Sequence, residues 1–160
     1  MPGGTAVISA NQQQELAALA GRALTPNELL LGALRNDAAL AQSLSVGLTQ
    51  TISPTRINIG SVLDALGSAP GAAFLDQMGT LGQTASAIKW MLILIQDGTF
   101  DIGDPNLVAV INLLVTGGTL GSATIDPNTI AQATATALIN LGIFPLVITT
   151  LQVSNILSGP

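Results

Sequence analysis

The residues that could do chemistry are concentrated in the stretch 96–106, which reads QDGTFDIGDPN. Asp97, Asp101, Asp104 and Asn106 all carry side-chain oxygens within this stretch. Calcium and other hard cations are bound by several oxygens of this kind. We therefore name these four residues as a candidate metal site.

The same stretch departs from the EF-hand calcium loop at two positions. Ile102 stands where that loop requires glycine, and Val108 stands where it places a bidentate glutamate. The alternative is purely structural, with Asp97 ending one helix and Asp104 beginning the next. Both interpretations stay open at this point.

Most other catalytic chemistry is excluded by composition. The chain has no Cys and no His, which removes disulfides, the usual zinc sites, thiol nucleophiles and Ser–His arrangements. A serine nucleophile would need Lys89 as its base, but Lys89 stands beside Trp90 in the most apolar stretch of the chain. The glycines of TGGTLGS lack the lysine of a phosphate-binding loop. We expect no enzymatic activity and no cofactor.

The charge balance bears on the partners of the protein. Four cations, Arg22, Arg35, Arg56 and Lys89, face nine carboxylates, for a net charge of -5. So few cations release few counterions from a phosphate backbone. The chain also has no Tyr and only four aromatic residues in all, one Trp and three Phe, too few for base stacking. We expect no nucleic-acid partner.

The surface is predicted to be unusually poor in charge. Charged residues make up 8% of the chain, against about 25% in an ordinary soluble domain. Apolar residues make up 48% at a mean hydropathy of +0.59, and the stretch 105–160 holds one charge, Asp126. Burying such a surface between subunits costs little desolvation of charge.

These observations favour a structural, self-assembling protein, such as a virus or phage shell component or the subunit of an extracellular fibre. Its partners would be copies of itself and other assembly proteins. We expect it in a virion or an extracellular assembly, and the N-terminal sequence does not have the pattern of a signal peptide.

Two alternatives remain. The first is a small membrane-associated protein with the stretch 105–160 in lipid, although Asn140, Gly142 and Pro145 interrupt its most apolar part. The second is a helical module that binds an apolar ligand.

The chain is predicted to fold as an all-α bundle of about seven to nine short helices with turns marked by Gly and Pro. It would form a single domain over 1–160, with a short N-terminal arm at 1–9, and a minor β-hairpin near 116–125 is compatible with the sequence. Three Pro-Asn boxes predict helix starts, capped by Thr25, Asp104 and Asp126. Asp37 is predicted to cap a further helix. The last helix is predicted to begin at Pro145, although the β-branched residues 147–150 make a strand the alternative there.

Overall fold

The computed structural model describes residues 7–159, where short helices alternate with very short strands. In chain order the helices are α1 (Ala10–Ala20), α2 (Pro26–Ala33), α3 (Asp37–Ser45), α4 (Ile59–Leu66), α5 (Ser68–Leu81), α6 (Ser86–Asp97), α7 (Pro105–Thr116), α8 (Gln132–Ile139) and α9 (Thr150–Leu157). The strands are β1 (Thr49–Thr51), β2 (Arg56–Ile57), β3 (Phe100–Asp101), β4 (Gly118–Leu120), β5 (Ala123–Ile125) and β6 (Ile143–Pro145). The prediction of an all-α fold with short helices is confirmed. Among residues 7–159, no helix combines the length and the hydropathy that a membrane crossing needs.

The strands form small antiparallel pairs. β4 and β5 make a hairpin in which Thr119 lies opposite Thr124, so the hairpin predicted near 116–125 is present. β2 pairs with β3, with Arg56 opposite Asp101. The sequence did not predict this second pair, because two-residue strands have no recognisable alternation of apolar and polar residues.

The described chain divides into two compact units, one of residues 7–50 with 145–159 and the other of residues 51–144. The chain passes between them within β1 and again within β6. The assignment of a single domain to 1–160 stays a prediction. Most of its N-terminal arm, residues 1–6, lies outside the described residues.

The first unit contains α1, α2, α3 and α9. Its buried apolar residues are Ile8, Leu16, Ala20, Leu40, Ala41, Leu44, Ile148, Val153 and Leu157. The Gln12 side chain donates hydrogen bonds to the main-chain oxygens of Leu157 at 3.3 Å and Gly159 at 3.2 Å. These bonds satisfy carbonyl groups that the end of α9 leaves without helical partners.

The second unit contains α4 to α8 and is built around α6. Ile88, Met91 and Ile95 of α6 are buried, because their 3- and 4-residue spacing places them on one face of the helix. Gly103 lies so close to the Ile52 carbonyl that a β-carbon could not be accommodated. The loop before α7 therefore needs glycine at this position.

Two of the three predicted Pro-Asn helix starts are confirmed. Thr25 accepts a hydrogen bond from the Glu28 N–H at 3.2 Å, and the Glu28 side chain accepts one from the Thr25 N–H at 2.9 Å. Asp104 accepts a hydrogen bond from the Asn106 N–H at 2.8 Å at the start of α7. In both helices Pro occupies the first turn, where its missing N–H costs nothing.

The third predicted helix start, at Asp126, is wrong. Asn128 adopts a left-handed conformation with φ of 57°, and α8 begins only at Gln132. The Asn128 N–H donates to the Val115 carbonyl at 2.7 Å, and the Ile130 N–H donates to the Leu114 carbonyl at 3.1 Å. Tertiary hydrogen bonds to the end of α7 thus hold this segment as a turn.

Two other helix starts differ from the prediction. Asn36, not Asp37, caps α3, since its side chain accepts a hydrogen bond from the Ala39 N–H at 3.3 Å. The last helix was expected from Pro145, with a strand as the other option. Instead Pro145 ends β6, and α9 begins at Thr150 behind a capping box.

Candidate functional site

The four residues of the candidate metal site lie at the ends of three elements. Asp97 is the last residue of α6, and Asp101 belongs to β3. Asp104 caps α7, and Asn106 lies exposed in its first turn. The structural interpretation of Asp97 and Asp104 as helix end and helix start is therefore correct.

The Asp101 carboxylate fixes a neighbouring loop. It accepts hydrogen bonds from the Ser53 hydroxyl, from the Thr55 N–H at 2.8 Å and from the Gly103 N–H at 2.9 Å. The Ser53 hydroxyl, followed by these main-chain donors, lowers the pKa of Asp101. This contact could not be predicted from the sequence, because Ser53 and Asp101 are 48 residues apart.

Within residues 7–159 the structure brings no three His, Cys, Asp or Glu side chains close enough together to hold a metal ion. The assignment of Asp97, Asp101, Asp104 and Asn106 to a cation stays a prediction. The hydrogen bonds give Asp101 and Asp104 structural roles that are sufficient to explain where they lie.

Glu28 is the most deeply buried charged side chain that the structure describes, with no exposed surface. Arg22 binds it in a bidentate ion pair, with N–O distances of 2.7 and 2.9 Å, and the Ser43 hydroxyl donates at 2.8 Å. The Arg22 bonds are the main reason that the pKa of Glu28 falls to about 2. Every acceptor direction is thus used, so this cluster stabilises the first unit and offers no free group for catalysis.

An open groove of about 490 Å³ lies beside α4, α5 and α8 in the second unit. Five of its twelve lining residues are alanine, Leu66, Phe74 and Ile130 add further apolar surface, and it contains no charged side chain. The Gln77 amide, at its edge, already donates to the Thr129 carbonyl at 2.6 Å. The largest side chains of the lining favour an apolar group.

The first unit exposes an apolar surface that no other part of the described chain covers. Val46, Val147 and Leu151 expose 74%, 66% and 67% of their area. The chain segments that carry Val46 and Val147 are joined by a hydrogen bond between their neighbours. The Ile148 N–H donates to the Ser45 hydroxyl at 2.8 Å. We call Val46, Val147 and Leu151 the C-terminal apolar patch.

Charge is absent from the chain around this patch. No Asp, Glu, Lys or Arg occurs between 127 and 160. The outward side of α9 therefore presents Leu151, Gln152 and Asn155, all exposed, where an ordinary surface helix carries Lys and Glu. The sequence predicted the lack of charge. It could not predict the hydrogen bond between Ile148 and Ser45, the neighbours of Val147 and Val46 in the chain, which accompanies the packing of α3 against α9.

Further large apolar side chains are exposed elsewhere in the described chain. They are Val7, Leu30, Leu34, Ile52, Ile59, Trp90 and Phe144. Single exposed apolar residues are common on protein surfaces, but these occur on a chain with few charges to separate them.

Comparison with known proteins gives no family: no family model matches this chain, and no curated protein or solved structure matches it either.

Proposed function

We propose that this protein is a non-enzymatic structural subunit that assembles with copies of itself into an ordered particle or filament. The observation that supports this proposal is the C-terminal apolar patch, which combines high exposure with an uncharged surrounding sequence. A virus or phage shell and an extracellular fibre are the settings we propose for such an assembly, with other assembly proteins as further partners.

The physical argument concerns the cost of bringing two surfaces together. Covering exposed Val and Leu side chains gains about 25 cal/mol for each Å² removed from water. The patch residues themselves carry no charge, so none of them has to lose the hydration of an ion on contact. The same surface in isolation would favour aggregation, so an ordered partner surface is the most economical explanation.

Sedimentation velocity over a range of protein concentrations tests this proposal. We expect oligomers whose size rises with concentration and changes little with added salt, because few charges are available to be screened. A monomer at every micromolar concentration would refute the proposal.

The variant Leu151→Lys tests the patch itself. It places a charge that must be desolvated at the contact, so we expect weaker self-association. Ala72→Lys is the matched control, because Ala72 is exposed on α5 in the other unit and receives the same charge. Equal association of the two variants would exclude the patch as an interface.

Apolar ligand binding is the second candidate, and the groove beside α4, α5 and α8 is the observation that favours it. Ligand sites usually combine an apolar lining with a few polar groups that orient the ligand. In this groove the Gln77 amide already donates its hydrogen bond to the Thr129 carbonyl and does not orient a ligand. We therefore rank this function below self-assembly.

A further inference from the structure

A second surface with the properties of a subunit contact lies on α6, in the second unit. Lys89, Trp90 and Asp97 are exposed on it and Ile93 is half-buried, opposite the buried face of Ile88, Met91 and Ile95. Lys89, Ile93 and Asp97 follow one another at intervals of four residues, which places them side by side along the helix. Trp90 exposes 60% of its area beside them.

The two charges on this face are unfavourable within their own helix. Lys89 lies near the positive N-terminal end of the α6 dipole, and Asp97 is the last residue, at the negative end. Neither takes part in the ion pairs of residues 7–159, which are Arg22–Glu28 and Arg35–Asp37. The Lys89 Nζ lies 5.8 Å from the centroid of the neighbouring Trp90 ring. Ion pairs among residues 7–159 thus do not explain the placement of these charges.

A second copy of α6, running antiparallel, would make both charges favourable. Ile93 is the midpoint between Lys89 and Asp97, so a two-fold axis at Ile93 places Lys89 of each copy opposite Asp97 of the other. Each charge then also lies at the end of the neighbouring helix whose dipole attracts it. A two-fold contact needs such a self-complementary surface.

We infer that α6 is a two-fold interface between copies of this chain, with Ile93 at its centre, Trp90 packed on either side and two reciprocal Lys89–Asp97 ion pairs. This inference rests on the proposed function, since it assigns one of the surfaces through which the protein assembles. Trp is the residue type most enriched among side chains that dominate binding energy, and the ion pairs fix the antiparallel orientation.

The contact is small. A helix of 12 residues is about 18 Å long, and stable interfaces bury about 1,600 Å² in total. The α6 contact alone is therefore expected to be weak and to contribute mainly within an assembly. Its test needs concentrated protein.

Charge reversal is the first test. In Lys89→Asp, the new Asp of each copy lies opposite Asp97 of the other copy. In Asp97→Lys, the new Lys lies opposite Lys89. Each single variant therefore places like charges together and should lose self-association at this contact. The double variant Lys89→Asp with Asp97→Lys restores opposite charges and should recover it. Glu15→Lys is the control, because Glu15 is exposed on α1 and the substitution changes the net charge as much as Asp97→Lys does. It should have no effect on self-association.

Trp90 provides the readout, because it is the only tryptophan of the chain. In the wild-type protein we expect its fluorescence emission to move to shorter wavelength as concentration rises, together with a larger sedimentation coefficient. In each single variant the emission should stay that of an exposed tryptophan. Circular dichroism confirms that the variants fold, and recovery in the double variant excludes a folding defect as the cause.

A cysteine variant tests the geometry. Because the chain has no cysteine, Ile93→Cys should form a disulfide-linked dimer under mild oxidation, as the two-fold axis brings these positions together. Ala72→Cys, exposed on α5, should not. No dimer for Ile93→Cys, or equal dimer for both variants, would overturn the inference.

The outcomes separate this inference from the proposed function. If the wild-type protein assembles and all charge variants assemble equally well, the α6 contact is refuted. The proposed self-assembly is then unaffected. A wild-type protein that is monomeric at every concentration refutes both. A shift of Trp90 emission with lipid vesicles, but not with protein concentration, would assign this face to a membrane and overturn the inference.

Discussion

At the scale of single residues, the charged side chains of the first unit are used to join helices. Glu28 combines a capping box with a bidentate Arg22 pair and a Ser43 bond. Asp37 pairs with Arg35 and accepts a hydrogen bond from the Ser154 hydroxyl of α9 at 2.6 Å. The Arg35 pair is the main reason that the pKa of Asp37 is lowered. With so few charges in the chain, these two carboxylates act as specific connectors.

Glu28→Gln tests the buried connector. The pKa of Glu28 is lowered from 4.5 to about 2, so folding favours the carboxylate. Its contribution to stability is complete above about pH 4.5 and is lost as the pH falls towards 2. At pH 7 we expect the variant to lose about 2 kcal/mol of unfolding free energy, and this difference should shrink below pH 4.5.

Urea unfolding at a series of pH values measures this effect. Glu15→Gln is the control, because Glu15 is exposed on α1 and its substitution should change stability by less than about 0.5 kcal/mol. A constant gap between wild type and Glu28→Gln from pH 7 to pH 2.5 would contradict the role assigned to Glu28.

At the scale of elements, the starts of helices are determined by local hydrogen bonds wherever tertiary contacts do not compete. Capping boxes begin α1, α2, α4 and α9, and an Asp begins α7. Asp104 and Asp126 stand in the same Asp-Pro-Asn sequence, yet only Asp104 caps a helix. The two boxes thus form a natural pair for experiment.

Asp104→Ala and Asp126→Ala should differ in stability. Loss of the Asp104 cap should cost about 1 kcal/mol, since the Asn106 N–H loses its acceptor. Asp126 is exposed, and its turn is held by main-chain groups, including the Asp126 carbonyl that accepts from the Thr129 hydroxyl at 2.6 Å. Its substitution should cost less than about 0.5 kcal/mol. Thermal or urea unfolding measures both, and equal losses would contradict the assignment of the second box to a turn.

At the scale of the whole molecule, the proposed function and the α6 contact assign one self-association surface to each unit. The C-terminal apolar patch belongs to the first unit, and the α6 face belongs to the second. A single two-fold contact closes as a dimer, whereas two different contacts on one subunit can continue into a larger assembly. Assembly into a particle or filament would therefore need both.

Combining the interface variants tests this requirement. We expect Leu151→Lys or Asp97→Lys alone to leave small oligomers, and the combined variant to be monomeric. Sedimentation velocity with negative-stain electron microscopy of concentrated protein measures the result. Large ordered assemblies of the combined variant would show that a third surface carries the contact.

The contrast between the two Asp-Pro-Asn boxes shows how far local sequence determines local structure. A cap and a first-turn proline are sufficient signals at Thr25 and Asp104, because the chain that follows each one is free to form a helix. At Asp126 the same signal loses to hydrogen bonds from Asn128 and Ile130 to the end of α7. Those acceptors, Val115 and Leu114, belong to the preceding helix, more than three helical turns back in the chain, and no local pattern identifies them.

The same limit applies to the candidate sites. The oxygen-rich stretch 96–106 was recognisable, but the loop that uses the Asp101 oxygens was not, because Ser53 and Thr55 reach that carboxylate only through the pairing of β2 with β3. The Arg22 partner of Glu28 could not be predicted either, although Thr25 was predicted to cap the helix that contains Glu28.

The sequence by itself determined the all-α class, most helix starts, the hairpin and the scarcity of charge, since these depend on composition and on contacts within a few residues. Tertiary structure alone decided which apolar residues remain outside. Val46, Val147 and Leu151 stay exposed in the first unit, and α6 turns Lys89, Trp90 and Asp97 outward while Ile88 and Ile95 are buried. Exposure depends on which face of each helix finds a partner, and that is settled only when the whole chain has packed.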